Sequence, residues 1–228
     1  MNITHAVKEE VVGDRLEAIF NRQKELMEKY HYIEERSGLL QTSDCPVNLD
    51  DKRGQARLKD FSWRVTEELG EALDAINDIE HFEEELVDGL HFLTEMTILA
   101  GQTPKDIVSN SLKAFNINKN DDLYEHITSY GDCLCSLYDI AVEVYDCLDF
   151  DVRVSKFIEN LGMACNCLKN KPWKQSNMIT DRAMYFKRLS MAWVSYLSVM
   201  GFTMGVDNIT DTYLKKSQVN KFRQRSNY

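Results

Sequence analysis

The stretch that decides the fold lies at residues 65–100 and reads VTEELGEALDAINDIEHFEEELVDGLHFLTEMTILA. On either side of the polar segment 77–81, apolar residues recur three or four positions apart, which is the spacing of one helix face. The segment 77–81 separates the two patterns and predicts a turn. We therefore expect two helices that fold back antiparallel on each other.

Helical periodicity extends over most of the remaining chain, and the alternation typical of strands is nowhere sustained. With 10 Gly and 3 Pro among 228 residues, the chain has too few turn formers for a sandwich or barrel. The sequence predicts an all-α fold, a helical bundle of about eight helices. The predicted helical segments are 7–35, 55–76, 80–100, 103–115, 122–148, 152–168, 178–200 and 206–224.

A weak internal repeat relates two segments of the chain. Residues 91–113 and the stretch that begins at Ala192 both contain a helix end, a glycine near the turn, an aspartate and a second helix that reaches Leu-Lys. The pattern predicts either a duplicated helical unit, with halves at about 55–117 and 122–224, or a coincidence. In both cases we expect residues 1–228 to form a single domain.

Charge and composition exclude several classes of protein. The chain has 27 basic and 37 acidic side chains and a net charge of −10, which argues against nucleic acid as a partner. No uncharged apolar run reaches the roughly 18 residues of a membrane-spanning helix, and the first residues lack a secretion signal. We expect a cytoplasmic protein without membrane contact, whose six cysteines are reduced thiols rather than disulfides or zinc ligands.

Residues 65–104 carry eleven acidic side chains and no Lys or Arg. Within this window, Glu68 and Glu71 share one helix face, and so do Glu85 and Asp88, because residues three apart are neighbours on a helix. On one straight helix the two pairs would be about 21 Å apart, so the predicted hairpin is needed to bring them together. Four carboxylates predict a site for two or more Mg²⁺ ions, which Mn²⁺ can replace. The alternative is a solvated acidic face.

The C-terminal stretch carries five basic residues after Asp211 and no acidic one. Lys216, Asn220 and Arg223 recur at about one helical turn and therefore share one stripe of a helix. Such a stripe can bind a polyphosphate, with Lys as a point charge and Arg as a bidentate donor. A solvated basic tail is the alternative.

These motifs resemble those of a known family. The segments ELGE at 68–71, ELVDGLHF at 85–92 and TYLKKSQVNKFRQRSNY at 212–228 are similar to all-α nucleoside triphosphate pyrophosphatases of the MazG-like superfamily. Within it the chain most resembles the dimeric all-α dUTPases and the related phage dCTPase/dUTPase enzymes. Gln23 and Leu26 form a Gln-x-x-Leu that is similar to the base-contacting start of the family. Met27 departs from the pattern, because some members have a polar base-reading residue there.

The resemblance implies a set of residue roles and a homodimeric assembly. Gln23 is implied to read the base edge and Asn220 to lie near the nucleotide, while Lys216 and Arg223 contact phosphates. The implied Mg²⁺ ligands are Glu68, Glu71, Glu85 and Asp88.

The expected reaction is Mg²⁺-dependent hydrolysis of dUTP, with dCTP as a second candidate substrate, to the nucleoside monophosphate and pyrophosphate. A nucleoside triphosphate carries about four negative charges, so it can bind an acidic site only through metal ions. Glu68 or Glu71 would deprotonate the attacking water. Two alternatives stay open: a pyrophosphatase of broader or different nucleotide specificity, and a non-catalytic helical module that binds nucleotide or metal.

Overall fold

The computed structural model describes residues 3–226, in which nine α-helices follow a short 3₁₀ helix at Ile3–His5. The helices are α1 (Arg15–Ser37), α2 (Lys52–Asp74), α3 (Ile79–Leu99), α4 (Pro104–Ala114), α5 (Asp122–Ser129), α6 (Cys133–Tyr145), α7 (Phe150–Cys167), α8 (Arg182–Met200) and α9 (Val206–Arg225). No strand occurs in these residues. The prediction of an all-α fold is confirmed, and the nine helices described here are close to the eight expected.

Aspartate and threonine side chains set the beginnings of several helices. Asp51, Asp78 and Thr103 accept hydrogen bonds from N–H groups in the first turns of α2, α3 and α4, which have no partner within the helix. Thr103 and Asp106 bond reciprocally and form a capping box, with Pro104 at the first helical position. The fourth helix therefore begins where the sequence predicts.

Two helix boundaries differ from the prediction where a glycine turns the chain. The first long helix does not begin near Val7, because Gly13 has a φ of 98° and Asp14 caps α1 immediately after it. The predicted helical segment 122–148 is divided into α5 and α6 at Gly131, which has a φ of 63°. The apolar periodicity runs through both places, so it did not reveal the breaks.

The helices pack as two hairpins, each extended by a third helix. α2 and α3 form the predicted antiparallel pair, joined by residues 75–78, and α7 and α8 form a second pair. α4, which follows the first pair, packs against α8, while α9, which follows the second pair, packs against α3. This reciprocal arrangement is what a duplicated three-helix unit would give. The duplication and the single domain stay predictions.

The core lies between α3 and α8. Trp193 and Tyr196 on α8 are fully buried, and each donates a hydrogen bond to α3: the Trp193 indole N–H to Thr97 Oγ1 at 2.8 Å, and the Tyr196 hydroxyl to the Leu86 carbonyl at 2.7 Å. α1 and α9 pack against each other and against α3. The first and last long helices therefore meet over the helix that carries half of the predicted metal ligands.

None of the helices in residues 3–226 combines the length and apolar character needed to cross a membrane. All six cysteines are free thiols.

Candidate active site

Three of the four predicted metal ligands meet where α2 packs against α3. Carboxylate oxygens of Glu68, Glu85 and Asp88 all lie within 4.8 Å of one another. In the described part of the chain, no other group of three or more His, Cys, Asp and Glu side chains is close enough to hold a metal ion. Three carboxylates with this spacing provide the oxygen donors that hard divalent cations prefer.

The cluster concentrates negative charge in a partly buried position. Burial, the charge of Asp88 and a hydrogen bond with Glu85 together raise the pKa of the Glu68 carboxyl to about 8. Burial also raises the pKa of Asp88 to about 6, although the neighbouring Lys216 ammonium acts in the opposite direction. Carboxyl groups held this close ionise together only when a cation compensates their charge. The donor set and its electrostatics therefore fit a divalent metal ion.

Glu71, the fourth predicted ligand, lies outside the three-carboxylate group. It is exposed on α2 and follows Glu68 by three residues, a rotation of about 60° around the helix axis. Its charge nevertheless contributes to the raised pKa of Glu68. Glu71 thus lies at the rim of the cluster rather than within it.

Lys216 joins α9 to the cluster. Its Nζ lies 2.6 Å from Asp88 Oδ2 and 2.6 Å from Glu84 Oε1, and the residue is buried. Burial lowers the pKa of the ammonium group, but the two carboxylates outweigh that effect and the pKa is raised overall. Further along α9, Asn220 is half-buried and Arg223 is exposed. The three predicted basic-end residues thus extend from the cluster toward solvent.

A cavity of about 260 Å³ opens beside the cluster. Glu68 and Asp88 contribute to its wall, and so do the predicted substrate-binding residues Gln23 and Asn220. The other lining residues are Leu26, Tyr30, Glu34, Phe61, Arg64, His91, Phe92 and Glu95. Pockets for drug-sized molecules usually exceed about 300 Å³, so this volume suits a smaller ligand.

Gln23 is buried in the cavity wall with both ends of its amide engaged. Its Oε1 accepts a hydrogen bond from the Tyr213 hydroxyl at 2.8 Å and lies 2.8 Å from His91 Nδ1. Its Nε2 donates to Glu95 Oε2 at 2.9 Å. The predicted base-reading residue is therefore held by side chains of α3 and α9.

His91 stacks on the ring of Tyr213, with the ring centroids 3.8 Å apart. Burial, together with the positive charges of Lys216 and Arg22, lowers the pKa of His91 to about 3, so the ring is neutral near pH 7. Its Nδ1 hydrogen therefore donates to Gln23 Oε1. Its buried Nε2 is left as an acceptor without a hydrogen-bond partner in residues 3–226.

Several residues around the cavity were not predicted from the sequence. Glu95 is the only charged residue between Asp88 and Lys105, and a lone carboxylate in such an apolar helix was the signal that could have revealed it. Tyr213 carried no comparable signal. Met27, the noted departure from the family pattern, is buried in the core and does not line the cavity.

The fold is all-α, and two members of the three-carboxylate group line a cavity of about 260 Å³. A sequence model of the dUTPase family matches residues 68–228, which is more than half of the chain. The chain belongs to the dUTPase family, whose members generally depend on divalent metal ions. It is a hydrolase of the dUTP diphosphatase type, with a nucleotide as its substrate. No curated protein and no solved structure gives a significant match.

The family match decides between the enzyme and the non-catalytic module considered from the sequence, in favour of the enzyme. It includes all the predicted residues of α2, α3 and α9 but not Gln23, which precedes it. Tyr228, the last residue of the C-terminal motif, lies within the match and outside the described residues.

Proposed function

We propose that this dUTPase hydrolyses dUTP with Mg²⁺ held by Glu68, Glu85 and Asp88, and with Glu71 at the edge of the metal site. The observation that carries the proposal is that Glu68 and Asp88 belong both to the three-carboxylate group and to the wall of the cavity. A nucleoside in the cavity would have its phosphates beside these carboxylates. Mg²⁺ suits such oxygen ligands, and Mn²⁺ is expected to replace it.

Two or more bound Mg²⁺ ions would supply the positive charge that lets phosphate oxygens approach an acidic site and that stabilises charge developing on them. Of the two carboxylates considered as the general base, Glu71 is favoured over Glu68. Its exposed side chain is not in the cluster, so it keeps a carboxylate free to orient water and accept its proton.

Lys216 and Arg223 are proposed to bind the phosphates, with Asn220 between them on the same face of α9. Gln23, in the cavity wall, is proposed to read the edge of the base. In the metal-free protein the Lys216 ammonium is paired with Asp88 and Glu84. If Asp88 binds a metal ion, that ion would neutralise the carboxylate, and Lys216 would no longer be needed to do so. The Lys216 ammonium can then donate a charge-assisted hydrogen bond to a phosphate oxygen.

The test is pyrophosphate release by the purified protein with Mg²⁺, measured with dUTP, dCTP, dTTP, dATP, dGTP and UTP. Release from dUTP alone, or from dUTP and dCTP, supports the proposed base selectivity. Turnover of the whole panel would instead mark a pyrophosphatase of broader specificity. No turnover of dUTP by folded protein with Mg²⁺ or Mn²⁺ would refute the proposal.

Glu71→Gln and Glu85→Gln separate the proposed roles. A general base and a metal ligand should both lose most of their turnover, by about 10²-fold or more, but only Glu85→Gln should weaken Mg²⁺ binding measured by calorimetry. Glu80→Gln is the matched control, because Glu80 is an exposed acidic residue of α3 outside the cluster and the cavity. It should keep the wild-type rate.

A homodimer is proposed from the family resemblance. Large apolar side chains of α1, α2 and the loop after α1 are well exposed in the single chain, among them Tyr32, Leu39 and Trp63. Light scattering coupled to size exclusion measures the mass directly. A monomeric mass at micromolar concentration would refute the dimer without affecting the proposed reaction.

A further inference from the structure

The orientation of the Gln23 amide is fixed by its surroundings. Its Oε1 accepts from the Tyr213 hydroxyl and from His91 Nδ1, and a carbonyl oxygen has two lone pairs, so this atom has no remaining acceptor capacity. Its Nε2 has two hydrogens, of which one is donated to Glu95. The second has no partner in the described part of the chain. Gln23 therefore offers the cavity a donor and not an acceptor.

Glu95 is the residue that imposes this orientation. An ionised carboxylate only accepts hydrogen bonds, so rotating the Gln23 amide by 180° would place Oε1 against an acceptor. Glu95 is itself buried, with its Oε1 3.7 Å from Arg57 Nη2 and 3.5 Å from His31 Nε2. Arg57 is 2% exposed and donates from Nη2 to Glu34 Oε2 at 2.8 Å. The Arg57 guanidinium therefore lies between the carboxylates of Glu34 and Glu95.

The two pyrimidines under consideration differ in the group that such a donor would meet. Uracil carries a carbonyl oxygen at position 4 of its ring, which accepts a hydrogen bond. Cytosine carries an amino group there, which donates. A fixed N–H facing this position would pair with uracil and would face another donor on cytosine, so the discrimination would come from an unpaired polar group.

We infer that Glu95 is a positioning residue for base selection: it holds the Gln23 amide with an N–H toward the position-4 oxygen of uracil, and thereby disfavours dCTP. The inference rests on the proposed function, in which Gln23 reads the base. It goes further by naming the residue that gives Gln23 its polarity. The carbonyl at position 2 is common to both bases, so a contact there would not discriminate.

The experiment compares kcat/KM for dUTP and dCTP in the wild type and in Glu95→Gln. A glutamine at position 95 can donate to Gln23 Oε1, and the His91 tautomer and the Tyr213 hydroxyl can reverse to match. The Gln23 amide can then present either end to the base. The dUTP to dCTP ratio should fall about tenfold, the size expected for one hydrogen bond, mainly through a higher KM for dUTP.

Glu28→Gln is the control, because Glu28 is an exposed acidic residue of α1 that does not line the cavity and makes no contact with Gln23. It should keep the selectivity ratio within about twofold. Glu95→Asp keeps the charge beside Arg57 but withdraws the carboxylate from Gln23 by one methylene group. It should lower the ratio as well, and it tests the inference if Glu95→Gln does not fold.

The outcomes separate the inference from the proposed function beneath it. If Gln23→Ala lowers the ratio while both Glu95 variants leave it unchanged, Gln23 reads the base without Glu95 and the inference is overturned. If Gln23→Ala also leaves the ratio unchanged, the base contact in the proposed function fails and the inference fails with it. A wild-type enzyme that hydrolyses dUTP and dCTP equally well would overturn the inference alone.

Discussion

Gly89 lies between Asp88 and Leu90 on α3, at the closest approach of this helix to Tyr196 of α8. A Cβ atom at this position would overlap the Tyr196 hydroxyl oxygen and would lie 3.1 Å from Cζ of the same ring. Tyr196 is fully buried and its hydroxyl donates to the Leu86 carbonyl at 2.7 Å. Because Tyr196 is fully buried, Gly89→Ala must displace its ring within the packed core.

The expected cost of Gly89→Ala follows from three contributions. Overpacking a well-filled core costs about 1–3 kcal/mol. Moving the Tyr196 hydroxyl away from Leu86 adds about 1–3 kcal/mol for a buried polar group left without its partner. Alanine regains about 1 kcal/mol because it is the better helix former. The free energy of unfolding should therefore fall by about 1–5 kcal/mol.

Urea unfolding of the metal-free protein measures this change. Gly70→Ala is the control, because Gly70 is an exposed residue of α2 and a Cβ there would meet nothing within 4 Å. It should raise the stability by up to about 1 kcal/mol. Adding Tyr196→Phe to Gly89→Ala removes the overlapping hydroxyl and should recover part of the loss. A Gly89→Ala protein as stable as Gly70→Ala would refute the reasoning.

Four further predictions concern charge and burial. Near pH 7, Mg²⁺ binding should release about one proton, because Glu68 with a pKa of about 8 is mostly protonated and Asp88 with a pKa of about 6 is mostly ionised. Calorimetry in buffers of different ionisation enthalpy counts the protons. Binding without proton release near pH 7 would contradict the assignment of these residues as ligands. For the same reason the metal-free protein should lose stability as the pH rises from about 5 to 8, since both carboxyls release protons more readily when unfolded. Lys216→Met should lower the melting temperature more at pH 8 than at pH 5, because at pH 5 Asp88 is mostly protonated and carries no charge for Lys216 to neutralise. An equal decrease in melting temperature at both pH values would argue against a stabilising ion pair. Gln55→Ala should lower the free energy of unfolding in urea by about 2–4 kcal/mol. Gln55 is fully buried and accepts a hydrogen bond from the Asn170 backbone N–H at 2.7 Å, so the substitution would leave that N–H without a partner. A loss below about 0.5 kcal/mol would mean that water replaces the side chain.

The three-carboxylate group could be predicted from the sequence because its geometry is local. The two carboxylate pairs lie on consecutive helices, and a turn of four residues leaves little choice in how those helices pack. The spacing could not place Glu71 outside the group, because a carboxylate three residues from Glu68 reaches either the cluster or the solvent depending on how α2 is rotated against α3. That rotation is set by packing of the whole bundle.

The cavity was harder to predict from the sequence because its contacts join distant parts of the chain. The Gln23 amide meets Tyr213, and Lys216 meets Glu84, only because α1 and α9 pack together over α3. No pattern within either segment encodes the partner. The beginning of α1 was wrongly predicted for the opposite reason. Gly13 is a local signal for a break, but the apolar periodicity continues around it and masked that break.

The joining of the first and last long helices has a consequence for the order of events during synthesis. Gln23 and Tyr213 are separated by 190 positions, and Lys216 and Glu84 by 132, so these contacts close large loops and are expected to form late. A nascent chain that ends after α8 has no α9. Its three-carboxylate group therefore lacks the Lys216 ammonium, and its Gln23 lacks the hydrogen bond from the Tyr213 hydroxyl. Nucleotide hydrolysis should therefore appear only when α9 has docked, which would make the reaction itself a reporter of the last folding step.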